Sequence, residues 1–273
     1  MSDIVLSAGV RSNLLQLQQT SDLITQTQTR LATGKRVNSA LDNANNYFTA
    51  QGLDNRASDL SNLLDNQSSA INTINAANNG ISAITKLVQS AQSLVSQAQQ
   101  TTDTTTRAAL STQFTALLTQ IGQLASDSGF NGINLLGGDT LTVTLDETGN
   151  STVSVSGVDY TDATASPLSI ANAANNWADT AAISAASTDL TAALTSLRSE
   201  SQTLGSSLSV VQIRQDFTKA TINTLQTGSA SLTLADSNEE GANLLALQTR
   251  QQLSTTALSL ASQADQNVLR LFR

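Results

Sequence analysis

LSNLLDNQSSAINTINAANNGISAITKLVQSAQSLV, residues 60–95, is the stretch that decides the fold. Its apolar residues return at steps of three and four, along a seam that Asn78 and Thr85 interrupt. Such spacing places the apolar side chains on one face of an α-helix and favours packing against further helices. The stretch therefore predicts a long, imperfect coiled-coil helix, whose seam consists of Ile71, Ile74, Ile81, Val88 and Val95.

Helical periodicity recurs on both sides of a central segment. It ends before the turn-forming sequence DSGFNG, residues 127–132, and resumes near Leu190. The spacing predicts one helix that runs out and another that returns. The earlier seam holds Leu110, Phe114, Leu117, Ile121 and Leu124, and the later one holds Leu190, Leu194, Leu197, Leu204, Leu208 and Val211, continuing through Ile222 and Leu225.

The central segment has a different pattern. Residues 141–145 (LTVTL) and 151–155 (STVSV) alternate apolar with polar side chains around the sequence DETGN. Alternation around a short polar connection predicts a β-hairpin. We therefore expect a mainly α protein: a long antiparallel helical hairpin or coiled-coil bundle, with the N- and C-terminal helices paired and a small β-hairpin region in the middle of the chain.

Three regions follow from these patterns. Residues 1–40 plus 236–273 are predicted to form a terminal helical domain, and residues 41–130 plus 180–235 an outer helical bundle. Residues 131–179 are predicted to form a surface-exposed, variable β-hairpin and loop region. Between Arg107 and Arg198 the chain carries eight acidic and no basic residues, which favours solvent exposure of the middle.

Composition argues against catalysis. The 273 residues include no cysteine and no histidine, which excludes a Ser-His-Asp triad, a cysteine nucleophile and the common zinc sites. The carboxylates lack the spacing of a calcium loop. We therefore expect no enzyme activity, no metal site and no cofactor.

Charge and hydropathy restrict the partners. A net charge of −8 disfavours nucleic acid, whose phosphates require clustered Lys and Arg. No apolar stretch approaches the roughly 20 residues of a membrane span, so we expect no membrane partner. Met1 to Val10 lacks the basic start and apolar run of a Sec signal. An exported protein of this sequence would need a dedicated secretion route.

Both ends of the chain combine an apolar seam with uncharged polar faces rich in Gln, Ser, Thr and Asn. Amides can donate and accept hydrogen bonds across a contact between identical copies, where identical charges would repel. The terminal segments are therefore predicted to be subunit-interface helices; the alternative, that these faces only reflect composition, stays open. The predicted interface residues are Leu6, Val10, Leu14, Leu17, Ile24, Leu31, Leu253, Ala257, Leu260, Ala264, Leu271 and Phe272.

Two stretches resemble a known family. Residues 30–44, RLATGKRVNSALDNA, resemble the amino-terminal signature of bacterial flagellins, which links two helical domains. Residues 247–253, LQTRQQL, and 257–272, ALSLASQADQNVLRLF, resemble the flagellin terminal helix. The resemblance covers roughly residues 1–130 and 185–273, and departs from the family where Asn45, Asn46, Tyr47 and Phe48 replace a small-residue run.

The resemblance implies a structural subunit that polymerises into the extracellular flagellar filament for swimming motility. It implies unfolded export through the flagellar type III apparatus, without a cleaved Sec signal. The implied partners are further copies of the chain, an export chaperone on the C-terminal helix, and the filament cap and hook-junction proteins. Two alternatives remain open: a hook–filament junction protein and a coiled-coil scaffold.

The signature also predicts a domain junction formed by Arg30, Gly34, Arg36, Asn38, Ser39 and Asp42. Glycine allows a backbone break between two helices, and Ser39 with Asp42 three residues later can form a capping box that starts the next helix.

Overall fold

The computed structural model describes the backbone of residues 8–271 and the side chains in that range except those of residues 265 and 268–271. It confirms a mainly α fold with one two-stranded antiparallel sheet. None of the helices in this range is long and apolar enough to cross a membrane. The elements are α1 Ala8–Thr33, α2 Ala40–Gln100, α3 Thr104–Ser126, β1 Thr140–Thr144, β2 Thr152–Ser156, a short 3₁₀ helix Ala174–Trp177, α4 Thr180–Thr233 and α5 Ser237–Leu271.

The chain divides into two compact units. One contains residues 1–55 and 224–273, and the other contains residues 56–223. The three-part division drawn from the sequence is finer than this one and stays a prediction.

The core of the second unit is built on the predicted seams. Ile74, Ile81, Val88 and Val95 of α2 are buried, as are Phe114 and Ile121 of α3 and Leu190, Leu197, Leu204 and Val211 of α4. The apolar spacing in all three helices therefore identified the inward faces correctly. α3 ends at Ser126, immediately before the turn-forming sequence.

The predicted hairpin is confirmed, with each strand displaced by one residue. Leu141 of β1 pairs with Val155 of β2, and all four apolar residues of the two strands share one face. Leu141, Val143 and Val155 are buried against the helices. Alternation therefore located the sheet, because apolar side chains fall on one face of a strand.

Residues 131–179 are not simply a surface region. Their polar side chains are mostly exposed, but many apolar ones are buried in the core. Trp177 is fully buried, with its ring centroid 4.9 Å from that of Phe114. The expected exposure was wrong for these side chains, because the large apolar residues of this segment pack into the same core as the inward faces of the helices. They are Leu135, Leu136, Tyr160, Leu168, Ile170 and Trp177.

The turn between α2 and α3 is held by two charged residues. Asp103 caps α3 by accepting from the backbone N–H groups of Thr105 and Thr106. Buried Arg107 donates to the carbonyl oxygens of Ala98, Thr101 and Ala178 at 3.2, 2.8 and 3.2 Å. These carbonyls include ones at the end of α2, where the helix leaves acceptors without intrahelical donors. The guanidinium thus ties this turn to the start of α4.

Candidate subunit contact surface

In the first unit α1 packs along α5, and these two helices of the chain run antiparallel. The less exposed positions of α1 step by three and four, as in a coiled coil. Apolar side chains alternate with Asn and Thr along this line, so the pair buries little apolar surface. The positions are Val10, Asn13, Leu17, Thr20, Ile24, Thr27 and Leu31.

The matching face of α5 follows the same spacing and is also mixed in polarity. Its apolar members alternate with Gln and Ser, and Glu240 stands at its first position. The face consists of Glu240, Leu244, Leu247, Gln251, Ser254, Leu258 and Ala261.

An ion pair fixes one end of the two helices. Nη1 of Arg30 lies 3.0 Å from Oε1 of Glu240, and the Glu240 side chain is 8% exposed against 26% for Arg30. The pair lies beside a groove of about 330 Å³ that Leu23, Gln26 and Arg250 also line. A partly buried pair of this kind requires α1 and α5 to meet in one register.

The connections beyond α1 and before α5 pair with each other. Gly34 adopts a φ of 67°, which lets the chain turn after α1, and its carbonyl oxygen accepts from the Ala235 N–H at 3.0 Å. The Arg36 N–H donates to the Thr233 carbonyl at 2.7 Å. Three predicted junction residues, Arg30, Gly34 and Arg36, therefore lie where two pairs of helix ends meet.

The predicted capping box is confirmed. The backbone N–H groups of Asn38 and Ser39 each donate to Oδ2 of Asp42 at 3.0 Å, and the Ser39 Oγ accepts from the Leu41 N–H at 3.3 Å. These backbone hydrogen bonds hold the pKa of Asp42 below its ordinary value of 3.8. The carboxylate is therefore ionised at neutral pH and able to cap.

The long helix itself starts one turn later than the capping box. Asn43 has φ −163° and ψ 100°, outside the helical region, and its Oδ1 accepts from the Asn46 N–H at 3.0 Å. Asn43 is therefore the N-cap of the long run of α2, whereas Ser39 and Asp42 close the single turn before it. The sequence therefore located the capping box at the start of α2 but not the break at Asn43.

The predicted interface residues of α5 form a second apolar line. Leu253, Ala257, Leu260 and Ala264 step by four, three and four, and all are exposed. At 100° per residue this line lies more than a third of a turn away from the face that meets α1. We call these four residues the α5 stripe. It is a coiled-coil seam without a partner helix among the described residues of its own unit.

The predicted residues of α1 lie elsewhere. Val10, Leu17, Ile24 and Leu31 belong to the line that meets α5 in the same chain, and Leu14 lies at its exposed edge. Leu6 and Phe272 and the side chain of Leu271 lie outside the described residues.

Sequence reasoning missed further exposed leucines on these two helices. Leu15 and Leu23 of α1 and Leu245 of α5 are exposed. Leu245 precedes Leu253 by eight residues, a spacing that a search for steps of three and four does not join. Leucines that lie outside the predicted seams of otherwise polar helices are the sequence signal that could have found them.

Two family models match this chain. The model described as the bacterial flagellin N-terminal helical region matches residues 8–140, and the bacterial flagellin C-terminal helical region matches residues 187–272. The first match contains α1, α2 and α3, and the second contains most of α4 and α5. The segment between the matches holds most of β1, all of β2, the 3₁₀ helix and the first residues of α4.

Similar curated proteins agree with these matches. A flagellin of Caulobacter vibrioides is 32% identical over 282 residues, covering 100% of this chain and 99% of that protein. A flagellin of Brucella melitensis is 28% identical over 285 residues and covers 100% of both. Flagellin A of Rhizobium meliloti is 42% identical over 93 residues, so that the match spans 34% of this chain and 24% of that longer protein.

Among solved structures, the crystal structure of Bacillus cereus flagellin resembles this chain with a TM-score of 0.48 and 20% identity. The likeness covers 56% of this chain and 88% of that one.

Proposed function

The chain belongs to the bacterial flagellin family, and from this we propose that it is a structural subunit of the flagellar filament that assembles through its paired terminal helices. Flagellins are structural proteins whose general role is motility. The candidate surface fits that role, because it offers side chains for packing and hydrogen bonding and holds no reactive constellation among the described residues.

The observation that carries the proposal is the α5 stripe. Leu253 is 67% exposed and Leu260 is 62% exposed, at the spacing of a helix–helix seam. Burying a leucine side chain contributes about 1.5–3 kcal/mol, and a filament would repeat that gain in every copy. A chain that stayed alone would leave this seam in water.

The polar residues around the stripe support contact between identical copies. The α5 surface carries Gln248, Gln252 and Gln263 on exposed positions. An amide can donate to and accept from its own counterpart, so a symmetric lattice does not place like charges together.

The proposal extends to the route and the partners of the subunit. The chain is exported unfolded through the flagellar apparatus, acts outside the cell, and meets an export chaperone at its C-terminal helix. The filament cap and the hook-junction proteins are its remaining partners. Family membership supports these points, and the exposed α5 stripe offers a chaperone an apolar helix face before assembly.

The test is polymerisation of full-length protein seeded with filament fragments and followed by negative-stain electron microscopy. We expect the double substitution Leu253→Ser/Leu260→Ser to keep the helical circular dichroism of the parent and to lose filament growth, since both side chains are exposed in the single chain. The matched control is Thr249→Ser with Thr256→Ser, which makes two polar changes on the same helix.

Three outcomes decide the matter. Filaments from the parent and the control but not from the leucine variant support assembly through the stripe. Normal filaments from the leucine variant would remove the stripe from the interface. Failure of the parent itself to grow on seeds would favour the hook–filament junction protein or a scaffold over a filament subunit.

A further inference from the structure

The second unit carries an exposed apolar line that its own core does not use. Ile213 and Phe217 of α4 are 65% and 63% exposed, and Val210, one turn before Ile213, is 41% exposed. At 100° per residue, these three side chains point about a third of a turn away from Val211 and Thr218, which are buried. We call Val210, Ile213 and Phe217 the α4 stripe.

The α4 stripe differs in composition from the rest of the exposed surface of α4. Aromatic residues make up 3% of the chain, and Phe217 is one of five phenylalanines. Neighbouring exposed positions of α4 are Ser, Thr, Gln and charged residues. Aromatic side chains exposed beside polar ones are typical of the centres of protein interfaces.

The first unit carries a second exposed apolar feature, near the start of α2. Leu41 is 98% exposed in the capped turn before Asn43, and Phe48 is 64% exposed one turn into the long helix. The Phe48 ring packs edge-on against Tyr47, with centroids 5.5 Å apart, which orders the side chain while leaving it in solvent. We call Leu41 and Phe48 the α2 patch.

Charges distinguish the two surfaces. Residues 206–220 of α4, which contain the α4 stripe, hold two basic residues, Arg214 and Lys219, and one acidic residue, Asp216, all exposed. Residues 41–55 contain the acidic Asp42 and Asp54 and no basic residue. The net charges of the two segments are therefore opposite in sign, which favours pairing one surface with the other over pairing two copies of the same surface.

We propose that the α4 stripe of one copy packs on the α2 patch of a neighbouring copy. Because the two surfaces differ, each copy would use both, and the contact would repeat without closing, as a heterologous interface does in a helical polymer. This contact is additional to the one made by the α5 stripe. It rests on the proposed function, since it needs a lattice of copies in which both surfaces are covered.

The absence of cysteine from the sequence gives a direct test. Full-length Phe48→Cys and Phe217→Cys proteins, with affinity tags of different mass, are mixed as minority components with the parent chain and grown on filament seeds. Mild oxidation then joins two thiols into a disulfide where their Cβ atoms approach closely. A Gln212→Cys protein, changed at an exposed position on another side of α4, is the matched control for Phe217→Cys.

The expected result is a disulfide between the two differently tagged chains in filaments, at least about tenfold above the Phe48→Cys with Gln212→Cys control, because assembly raises the local concentration of the facing thiols. It should vanish on depolymerisation before oxidation. Failure of both phenylalanine variants to co-sediment with filaments that accept Gln212→Cys would also support the contact.

The proposed contact would be overturned if filaments take up all three variants but the Phe48→Cys and Phe217→Cys chains form no more disulfide than the control. That result would leave the filament function intact. Disulfides within one variant, between two Phe217→Cys or two Phe48→Cys chains, would overturn the proposed contact as well, because they would show self-pairing. Failure of the parent chain to polymerise would instead count against the filament function on which the contact depends.

Discussion

Nη1 of Arg30 and Oε1 of Glu240 meet at 3.0 Å across α1 and α5, in residues 210 positions apart in sequence. Removing one partner would leave a charge in a mostly buried site. We expect Arg30→Met to lower the free energy of unfolding of the terminal pair by roughly 2 kcal/mol, less than for a fully buried pair because Arg30 is partly exposed. Urea unfolding followed by circular dichroism measures this change.

The double variant Arg30→Met/Glu240→Leu is the control for that prediction. It removes both charges, together with Nε of Arg30 and Oε2 of Glu240, which are buried without hydrogen-bond partners. We expect it to recover most of the loss, since an apolar pair carries no desolvation cost. Equal stability of the parent and the single variant would show that the ion pair contributes nothing.

Arg107 should contribute more to the free energy of unfolding than any exposed arginine. Its guanidinium donates to the carbonyl oxygens of Ala98 and Thr101 at the α2–α3 turn and of Ala178 just before α4, while the residue is buried. Arg107→Met would leave these acceptors unsatisfied, and we expect a loss of about 3 kcal/mol in the free energy of unfolding. The exposed Arg198→Met is the matched control and should change little. Similar urea midpoints for the two variants would contradict this.

Gln67 places a buried amide between α2 and α4. It is fully buried, its Nε2 donates to Thr218 Oγ1 at 3.4 Å, and its Oε1 has no hydrogen-bond partner. We expect Gln67→Leu to raise the free energy of unfolding by about 1 kcal/mol, because the unsatisfied oxygen is removed. Thr218→Val should lower the free energy of unfolding, because it removes the oxygen that accepts from the Gln67 amide. A destabilised Gln67→Leu protein would show that the amide is needed.

The partly buried carboxyl of Glu200 should make the free energy of unfolding depend on pH. Burial raises the pKa of its carboxyl above the ordinary 4.5, and burial likewise raises the pKa of Tyr160 beside it, which stays neutral at pH 7. The folded chain therefore binds the Glu200 proton more tightly than the unfolded chain, so stability falls as pH rises from 4.5 through the folded pKa. Glu200→Gln should be more stable than the parent at pH 7, and the difference should vanish below pH 4.5.

Urea titrations at pH 4 and pH 7 test that prediction, with Glu239→Gln on an exposed position of α5 as control. A Glu200→Gln advantage that is the same at both pH values would assign the effect to packing instead of ionisation.

The sequence predicted the regular parts of the fold well. Ile74, Val88, Phe114 and Leu197 were identified as inward-facing because helical spacing puts such residues on one face. Trp177 and Tyr160 were not, since Tyr160 lies in an irregular segment and Trp177 ends a four-residue 3₁₀ helix, which is too short for a period to relate neighbouring side chains. Backbone conformations with positive φ at Asn175, Asn176 and Trp177 have no counterpart in apolar spacing.

At the candidate contact surface, sequence-based prediction fails for a different reason. α5 has two lines at coiled-coil spacing, one through Leu247 and Leu258 and one through Leu253 and Leu260. The sequence selected the second because its residues are more regularly apolar. Which line meets α1 depends on the partner helix and on the Arg30–Glu240 pair, and neither can be read from α5 alone.

The terminal helices should be the least stable part of the single chain. Among the described side chains of α1, Val10, Thr20 and Thr27 are buried, whereas the shorter α3 buries eight, including Phe114 and Ile121. Local unfolding costs less where fewer apolar side chains are buried. We expect the amides of α1 and α5 to exchange with deuterium much faster than those of α3 in the monomer.

Assembly into a filament should slow the amide exchange of α1 and α5. If the α5 stripe is covered by neighbouring copies, opening α5 in a filament requires those contacts to break, so its amides should become protected together with those of α1. Hydrogen–deuterium exchange on monomer and filament, read by mass spectrometry of peptides, measures both states. α3 serves as the internal control, since its core is complete in one chain. Strong protection of α1 and α5 already in the monomer would mean that the pair is stable before assembly and gains little from it.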